Sequence, residues 1–293
     1  MTLQAEPRDA RAVGPAIRSM LPDLTALEAG VVERMLADRS FSAQTALRDV
    51  AVDAGVSDAM VVKLAKKLGF SGFREMRREI VAYNSLPTAE LHQQLDASDD
   101  AGTIVRKVFR TSMQALEETL AILDMDAFAR ATVVLAQARQ RDFYGLGGSA
   151  QIARDVAHKF LRVGVRAMVF DDTHMMLMSA ALLGAGDVAM AFSHSGETES
   201  VIEPIALARA NGAATIAITN HAASRLGRTA ELVLASTAQG SPLTSENAAA
   251  RIAQLNILDA LFVAVAQRDA ATTSANLERT MAAVAPKRRQ RGQ

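Results

Sequence analysis

The sequence predicts an α/β chain: an all-helical N-terminal segment followed by a five-stranded parallel sheet with helices on both faces. Three observations carry this. Short helical segments rich in Ala, Leu, Met and charge end near residue 85 in a polar stretch. Beyond residue 132, five short apolar runs recur about every 20–30 residues. Helix-length amphipathic stretches lie between those runs, and strands alternating with helices at this spacing build a parallel sheet covered on both faces.

The 293 residues allow two domains. The expected division is 1–84, a linker with amphipathic helices over 85–131, the sheet domain at 132–271 and a tail at 272–293. Hydrophobic residues at 49% and charged residues at 22% support packed cores rather than disorder. Lys+Arg and Asp+Glu are 32 each, so any nucleic-acid face must be local. The absence of cysteine excludes disulfides, thiol nucleophiles and Cys-ligated zinc. Residues 1–11 carry acids and no apolar core, unlike a secretory signal. No uncharged apolar stretch approaches about 18 residues, so no membrane span and a cytoplasmic location are expected.

In the helical part, Leu47–Ala54 is helix-like, with Leu47, Val50 and Ala51 on one face. Gly55 can leave the helix with positive φ, and Ser57 stands where an N-cap belongs. A second helix is expected from Asp58 to Leu68, before Gly69. Helix, short glycine-containing turn and helix over 47–66 is the layout that offers a second helix to the DNA major groove. Val56, Val61, Leu64 and Leu68 are expected inward. Asp58, Met60, Lys63, Lys66 and Lys67 are left for the outer face. From Lys63 to Arg78 six basic residues face one acid, Glu75, whereas residues 1–84 hold 12 basic and 11 acidic. Lys63, Lys66 and Lys67 would then carry phosphate contacts, with Ser57, Asp58 and Met60 nearest the base edges. The plain alternative is a helical bundle with a solvated charged face.

Asn84 to Thr88, with Pro87, reads as a break, and a polar stretch runs from His92 to Gly102. Val105, Phe109, Leu116, Leu120 and Leu123 then fall on one helix face. That face and Leu255–Phe262 are candidate interfaces of a homodimer or homotetramer, because such DNA readers bind paired half-sites. The second is equally a core segment. The expected strands are Asp142–Leu146, Arg166–Phe170, Asp187–Phe192, Thr215–Thr219 and Glu231–Ala235. Ala150–Val163, Val201–Ala210 and Asn247–Ala266 are expected helices, and the basic end from Pro286 is expected unstructured.

Two loops carry chemistry. Tyr144 to Ala150, with Gly145, Gly147, Gly148 and Ser149, joins the first strand to a helix, where glycines and helix-start amides make an anion site. Taken alone, Gly145-x-Gly147-x-x-Ala150 with Asp171 also fits a dinucleotide site, or a plain turn. The third strand decides. It ends in Ser193-His194-Ser195-Gly196-Glu197-Thr198, three hydroxyls and a glycine just before a helix, able to wrap a phosphate with neutral donors. Two such loops at the carboxyl edge of neighbouring strands are where open α/β sheets bind ligands.

Leu47 to Ser57 and Met60 to Met76 resemble the helix-turn-helix of the RpiR family of bacterial regulators, most specifically over Lys67-Leu-Gly-Phe-Ser-Gly-Phe-Arg74. Lys63 stands where that family often has Arg, and Met60 where it often has a small hydroxyl residue, so the operator sequence does not transfer. Gly145–Ala150, Asp187–Phe192 and Ser193–Thr198 resemble a SIS domain, the sugar-phosphate isomerase fold, over about residues 132–269. The resemblance implies an α/β/α SIS domain holding a sugar phosphate through Ser149, Ser193, Ser195 and Thr198, with Gly147, Gly148, His194 and Gly196 in the same loops. It implies a transcriptional regulator of carbohydrate genes, binding double-stranded operator DNA under control of a phosphorylated sugar.

The rival class is a sugar-phosphate isomerase or lyase using Glu197, Glu246 or His194 as acid or base. Ser245 and Glu246 cap the last helix or reach a sugar from a symmetry mate. Asp171, Asp172 and His174 either contact sugar hydroxyls or form a helix cap with a solvent-facing imidazole. His158 and His221 have no partner at ligand spacing, so no metal and no cofactor are expected.

Overall fold

The computed structural model describes residues 9–38, 40–86, 95–238 and 248–289. Its contacts form two units. One runs to Ile122 and includes Thr237; the other comprises Leu123–Ser236 and the chain from Ala250 onward.

The first unit is helical: α1 (Ala10–Ser19), α2 (Ala26–Ala37), α3 (Leu47–Asp53), α4 (Asp58–Lys67), α5 (Phe73–Asn84) and α6 (Ala101–Ile122). Side-chain caps start several of these. Asp9 accepts the Arg11 N–H, Thr25 and Glu28 form a reciprocal capping box, and Ser57 accepts the Met60 N–H. Gly55 takes φ +67° in the turn between α3 and α4, which a side chain would strain. Val32, Val61, Leu64, Met76 and Ile80 are sealed in the core.

Residues 101–122 are not a linker: α6 packs on α1 within this unit. The reason is a buried polar cluster. The Tyr83 hydroxyl donates to Glu118 Oε1 at 2.6 Å, Gln114 Nε2 donates to the same oxygen at 2.8 Å, and the Arg18 guanidinium ion-pairs with Glu118. Gln114, Ala115, Glu118 and Thr119 are therefore the buried residues of α6. The apolar face expected to seek cover is outside, with Val105, Phe109 and Leu120 at 57%, 68% and 66% exposure.

The second unit runs α7 (Met125–Gln137), β1 (Arg141–Gly145), α8 (Gly147–Arg162), β2 (Met168–Phe170), α9 (Thr173–Leu182), β3 (Val188–Phe192), α10 (Glu199–Ala210), β4 (Ala214–Thr219), α11 (Arg225–Thr229), β5 (Leu232–Ala235), α12 (Ala248–Gln267) and α13 (Ala270–Arg289). All pairings are parallel, in the order β2-β1-β3-β4-β5. Alternation along the strands splits the core. Phe143, Met190 and Ile216 pack with α7, α8 and α12, whereas Tyr144, Ala191 and Ala217 pack with α9, α10 and α11. β2 is shorter than expected because it is an edge strand paired only to β1, with Met168 exposed.

Two helices at the C-terminal end bear on the expectations, and the second corrects one of them. α12 is long and apolar enough to cross a membrane by length and composition, yet Leu258, Leu261 and Val265 lie in the sheet core. The region from residue 272 is helical as far as Arg289, Pro286 included. Asn276 and Thr280 anchor it by donating to the Val163 and Arg162 carbonyls at the end of α8, at 3.1 Å each. Residues 290–293 lie outside the described residues.

Candidate functional site

The α3-turn-α4 pair forms the helix-turn-helix layout expected from the sequence. Val61, Leu64 and Leu68 point into the core, while Val56 is half-buried at its rim. Ser57 and Asp58 stand exposed at the start of α4. Lys63 and Lys66 are exposed, joined by Arg74 on α5; among the described residues these three make no hydrogen bond or ion pair. Two residues depart from expectation. Met60 is half-buried against the helical core. Lys67 donates to Glu28 Oε2 at 2.9 Å, tying α4 to the start of α2.

The segment after α4 is structural. Gly69 has φ +82°, the Phe70 N–H closes the helix on the Ala65 carbonyl at 3.0 Å, and Phe70 and Phe73 are buried. Glu75 accepts from both the Ser71 N–H and its hydroxyl at 2.6 Å, fixing the entry to α5. Arg77 donates to the Thr45 carbonyl at 2.8 Å, so it braces the unit.

The Thr25 backbone N–H, with the Lys67 ammonium, holds the Glu28 carboxyl down at about 2. Its folded value lies below its unfolded one, so its contribution to stability is complete above about pH 4.5 and drains as pH falls toward 2. Glu28→Gln should flatten that part of an acid-unfolding curve followed by circular dichroism, leaving the neutral-pH side unchanged in shape.

In the second unit both predicted loops meet at the carboxyl edge of the sheet. At Gly145 a Cβ would stand 3.1 Å from Ser149 and Ala150 backbone atoms, so any side chain there would press on the first turn of α8. Gly147 has φ +53° and begins α8. Across from it, Ser193 is 4% exposed; its hydroxyl lies 3.1 Å from Thr198 Oγ1 and accepts the Gly196 N–H at 3.1 Å. Ser195 Oγ accepts the Glu197 N–H at 3.2 Å. Gly196 has φ +67°, and its missing Cβ would stand 2.0 Å from Ser224 Oγ. The loop is thus pinned against the segment after β4.

Between the loops lies a cleft of about 190 Å³ lined by Ser149, Ser193, His194, Ser195 and Thr198, with Leu146, Phe192 and Val201 as its apolar walls. The long helices α8 and α10 start at it, so it collects partial positive charge from two helix N-termini. Among the described residues the lining holds hydroxyls, one imidazole and no Lys or Arg. Gly148 follows Gly147 in the first turn of α8.

His221, from the end of β4, sits edge-on to His194 with ring centroids 6.2 Å apart, a pairing of distant residues with no local signal in the sequence. Burial lowers the pKa of both, keeping the imidazoles neutral near pH 7. Glu197 Oε1 accepts the Arg225 N–H at 2.9 Å. Asp171 ion-pairs with Arg154, Asp172 caps α9 by accepting the Met175 N–H, and His174 is exposed. Ser245 and Glu246 lie outside the described residues. Among the described residues no cluster of His, Asp and Glu could hold a metal ion.

Comparison with known proteins agrees on both halves. Residues 12–86 match the family described as helix-turn-helix domain, rpiR family, and residues 134–264 match the SIS domain family. The HTH-type transcriptional regulator RpiR of Escherichia coli K12 is 41% identical over 272 residues, covering 93% of this chain and 92% of that protein. Among solved structures, Vibrio vulnificus NanR complexed with ManNAc-6P shares the fold over 94% of this chain and 98% of its own, with TM-score 0.59 and 24% identity. The sugar isomerase domain of an RpiR transcription factor from Sphaerobacter thermophilus covers 59% of this chain and 96% of its own, with TM-score 0.53 and 22% identity. A helix-turn-helix unit, a SIS unit and this relative together place the chain in the RpiR family of HTH-type transcriptional regulators.

Proposed function

We propose that the chain controls carbohydrate genes by binding operator DNA through the start and outer face of α4, and that a phosphorylated sugar in the SIS cleft governs that binding. The observation that carries this is the convergence of Ser149, Ser193, Ser195 and Thr198 on one cleft at two helix N-termini. Hydroxyls and amides suit a phosphate, and a cleft without Lys or Arg lets the ligand exchange rather than lock. The NanR neighbour, solved with ManNAc-6P, supports the same ligand class. Gly147, Gly148 and Gly196 give backbone access, and His194 faces the sugar as a neutral donor or acceptor. Glu246 is proposed as a sugar contact from its place in the sequence.

The cleft is assigned binding without turnover, in the cytoplasm, with no metal or cofactor. The SIS fold also occurs in isomerases, but the Glu197 carboxylate braces its own loop through Arg225, and His194 has no carboxylate partner among the described residues. Ser57 and Asp58 are proposed nearest the base edges and Lys63 and Lys66 on the phosphates, whereas Met60 packs against the helical core and Lys67 is held by Glu28. The assembly is a homodimer or homotetramer, so that paired half-sites are read together.

Lys66 gives the test. Lys66→Ala should weaken binding to operator and to unrelated DNA by the same factor, and should lower the slope of log affinity against log salt by about one. Fluorescence anisotropy at several salt concentrations reads both. Relaxed sequence preference with affinity intact would remove the groove assignment.

A further inference from the structure

The polar side of α6 is buried against α1 and α5, and its apolar side is bare. Val105, Phe109, Met113, Leu116 and Leu120 form one stripe along a 22-residue helix about 33 Å long. Four of the five are exposed, Phe109 most of all at 68%. Leu116 is half-buried. Scattered surface leucines are ordinary, but a stripe repeating at spacings of four, four, three and four is a helix-packing seam.

The charges beside the stripe identify the occupant. Exposed Arg106 and Arg110 flank its N-terminal half and exposed Glu117 its C-terminal half. An antiparallel second copy of α6, with the two-fold axis beside Met113, sets Arg110 against Glu117 of the second copy twice. It also seats Phe109 between Leu116 and Leu120 of the second copy. A parallel pair would place Arg110 and Glu117 of one copy on the opposite side of the seam from those of the other, so neither charge would meet its counter-charge. The helix is self-complementary in one direction only, as an isologous interface requires.

We propose that α6 is a homodimerisation helix, pairing antiparallel with the same helix of a second copy through the Val105–Leu120 stripe. This rests on the proposed two-fold assembly and adds its surface and direction. Because α6 is keyed to α1 and α5 through Glu118, pairing at α6 would fix the spacing of two DNA faces.

Sedimentation velocity of the full chain tests it with Arg110→Glu, Glu117→Arg, an equimolar mixture of the two, and Phe109→Asp. Each single variant sets like charges together at both symmetric contacts and should weaken association at least about tenfold. The mixture should restore it, because an acid then meets a base at both contacts. The carboxylate introduced at position 110 of one chain faces the guanidinium introduced at position 117 of the other. At the second contact the unchanged Glu117 faces the unchanged Arg110. Phe109→Asp should remove one two-fold step, from dimer to monomer or tetramer to dimer. Unchanged thermal melts would confirm that each variant folds. A monomeric wild type would overturn both the two-fold assembly and this surface. Wild-type association in every variant would overturn the surface alone, and weakened single variants without rescue by mixing would overturn the antiparallel direction.

Discussion

Glu118→Ala is expected to destabilise the helical unit by about 3–5 kcal/mol, a large share of a small domain's total stability. The carboxylate is 2% exposed and is shared by three groups: the Arg18 guanidinium, the Tyr83 hydroxyl and the Gln114 amide. Burial alone would lower the Arg18 pKa, and the Glu118 carboxylate, with Tyr83, more than reverses that, so Glu118 is the counter-charge that makes this site tolerable for a guanidinium. Alanine would leave the Arg18 cation without its counter-charge and take the shared carboxylate from the Tyr83 hydroxyl and the Gln114 amide, with the Tyr83 oxygen the remaining acceptor for Gln114. Glu118→Gln keeps an oxygen for Tyr83 but loses the charge, and should fall between alanine and wild type. Arg18→Ala with Glu118→Ala should cost less than the sum of the single changes, because the second removes the charge that the first strands. Urea unfolding followed by circular dichroism would read all of these, and a loss under about 1 kcal/mol for Glu118→Ala would show that water reaches the cluster.

Ser193→Ala is expected to lower affinity for a phosphorylated sugar at least about a hundredfold, against about tenfold to a hundredfold for Ser149→Ala. The difference is architectural. A hydroxyl donating to a phosphate is worth about 1.5–3 kcal/mol wherever it stands. Ser193 also accepts the buried Gly196 N–H and lies beside the Thr198 hydroxyl, so its removal strands a buried donor and loosens the loop. Gly196→Ala should abolish binding altogether, because the added carbon would fall 2.0 Å from Ser224 Oγ at a φ of +67°. Calorimetry would rank the variants. Equal losses for Ser149→Ala and Ser193→Ala would mean that the loop survives without its internal hydrogen bond.

The parts of this fold legible in the sequence are those governed by local rules. Gly55 and Ser57 mark the turn because positive φ and an N-cap hydroxyl are single-residue requirements, and both are met. The five strands stand close to their expected bounds because each is a short apolar run closed by turn residues. The buried side of α6 is not legible, because periodicity shows that one side differs from the other without showing which partner waits. Arg18 and Tyr83, distant in sequence, bury the polar side. Pro286 suggests an end to structure, yet Asn276 and Thr280 find carbonyls at the end of α8.

The site divides the same way. The two phosphate loops are readable because glycine and hydroxyl residues at strand ends have few other uses together. Lys67 reads as a free DNA contact in the sequence, but Glu28, on another helix, claims its ammonium. His221 is invisible there as a partner because β3 and β4, not the local sequence, bring it to His194.

The most direct measurement of the central claim is the affinity of the full chain for DNA from its own locus, by fluorescence anisotropy, titrated with a panel of sugar phosphates and their dephosphorylated sugars. The account predicts salt-sensitive DNA binding that one phosphorylated sugar shifts and its parent sugar does not. That shift should be lost in Ser193→Ala while DNA affinity without the sugar is kept. Equal effects from the sugar and its phosphate, or a full response in Ser193→Ala, would contradict it.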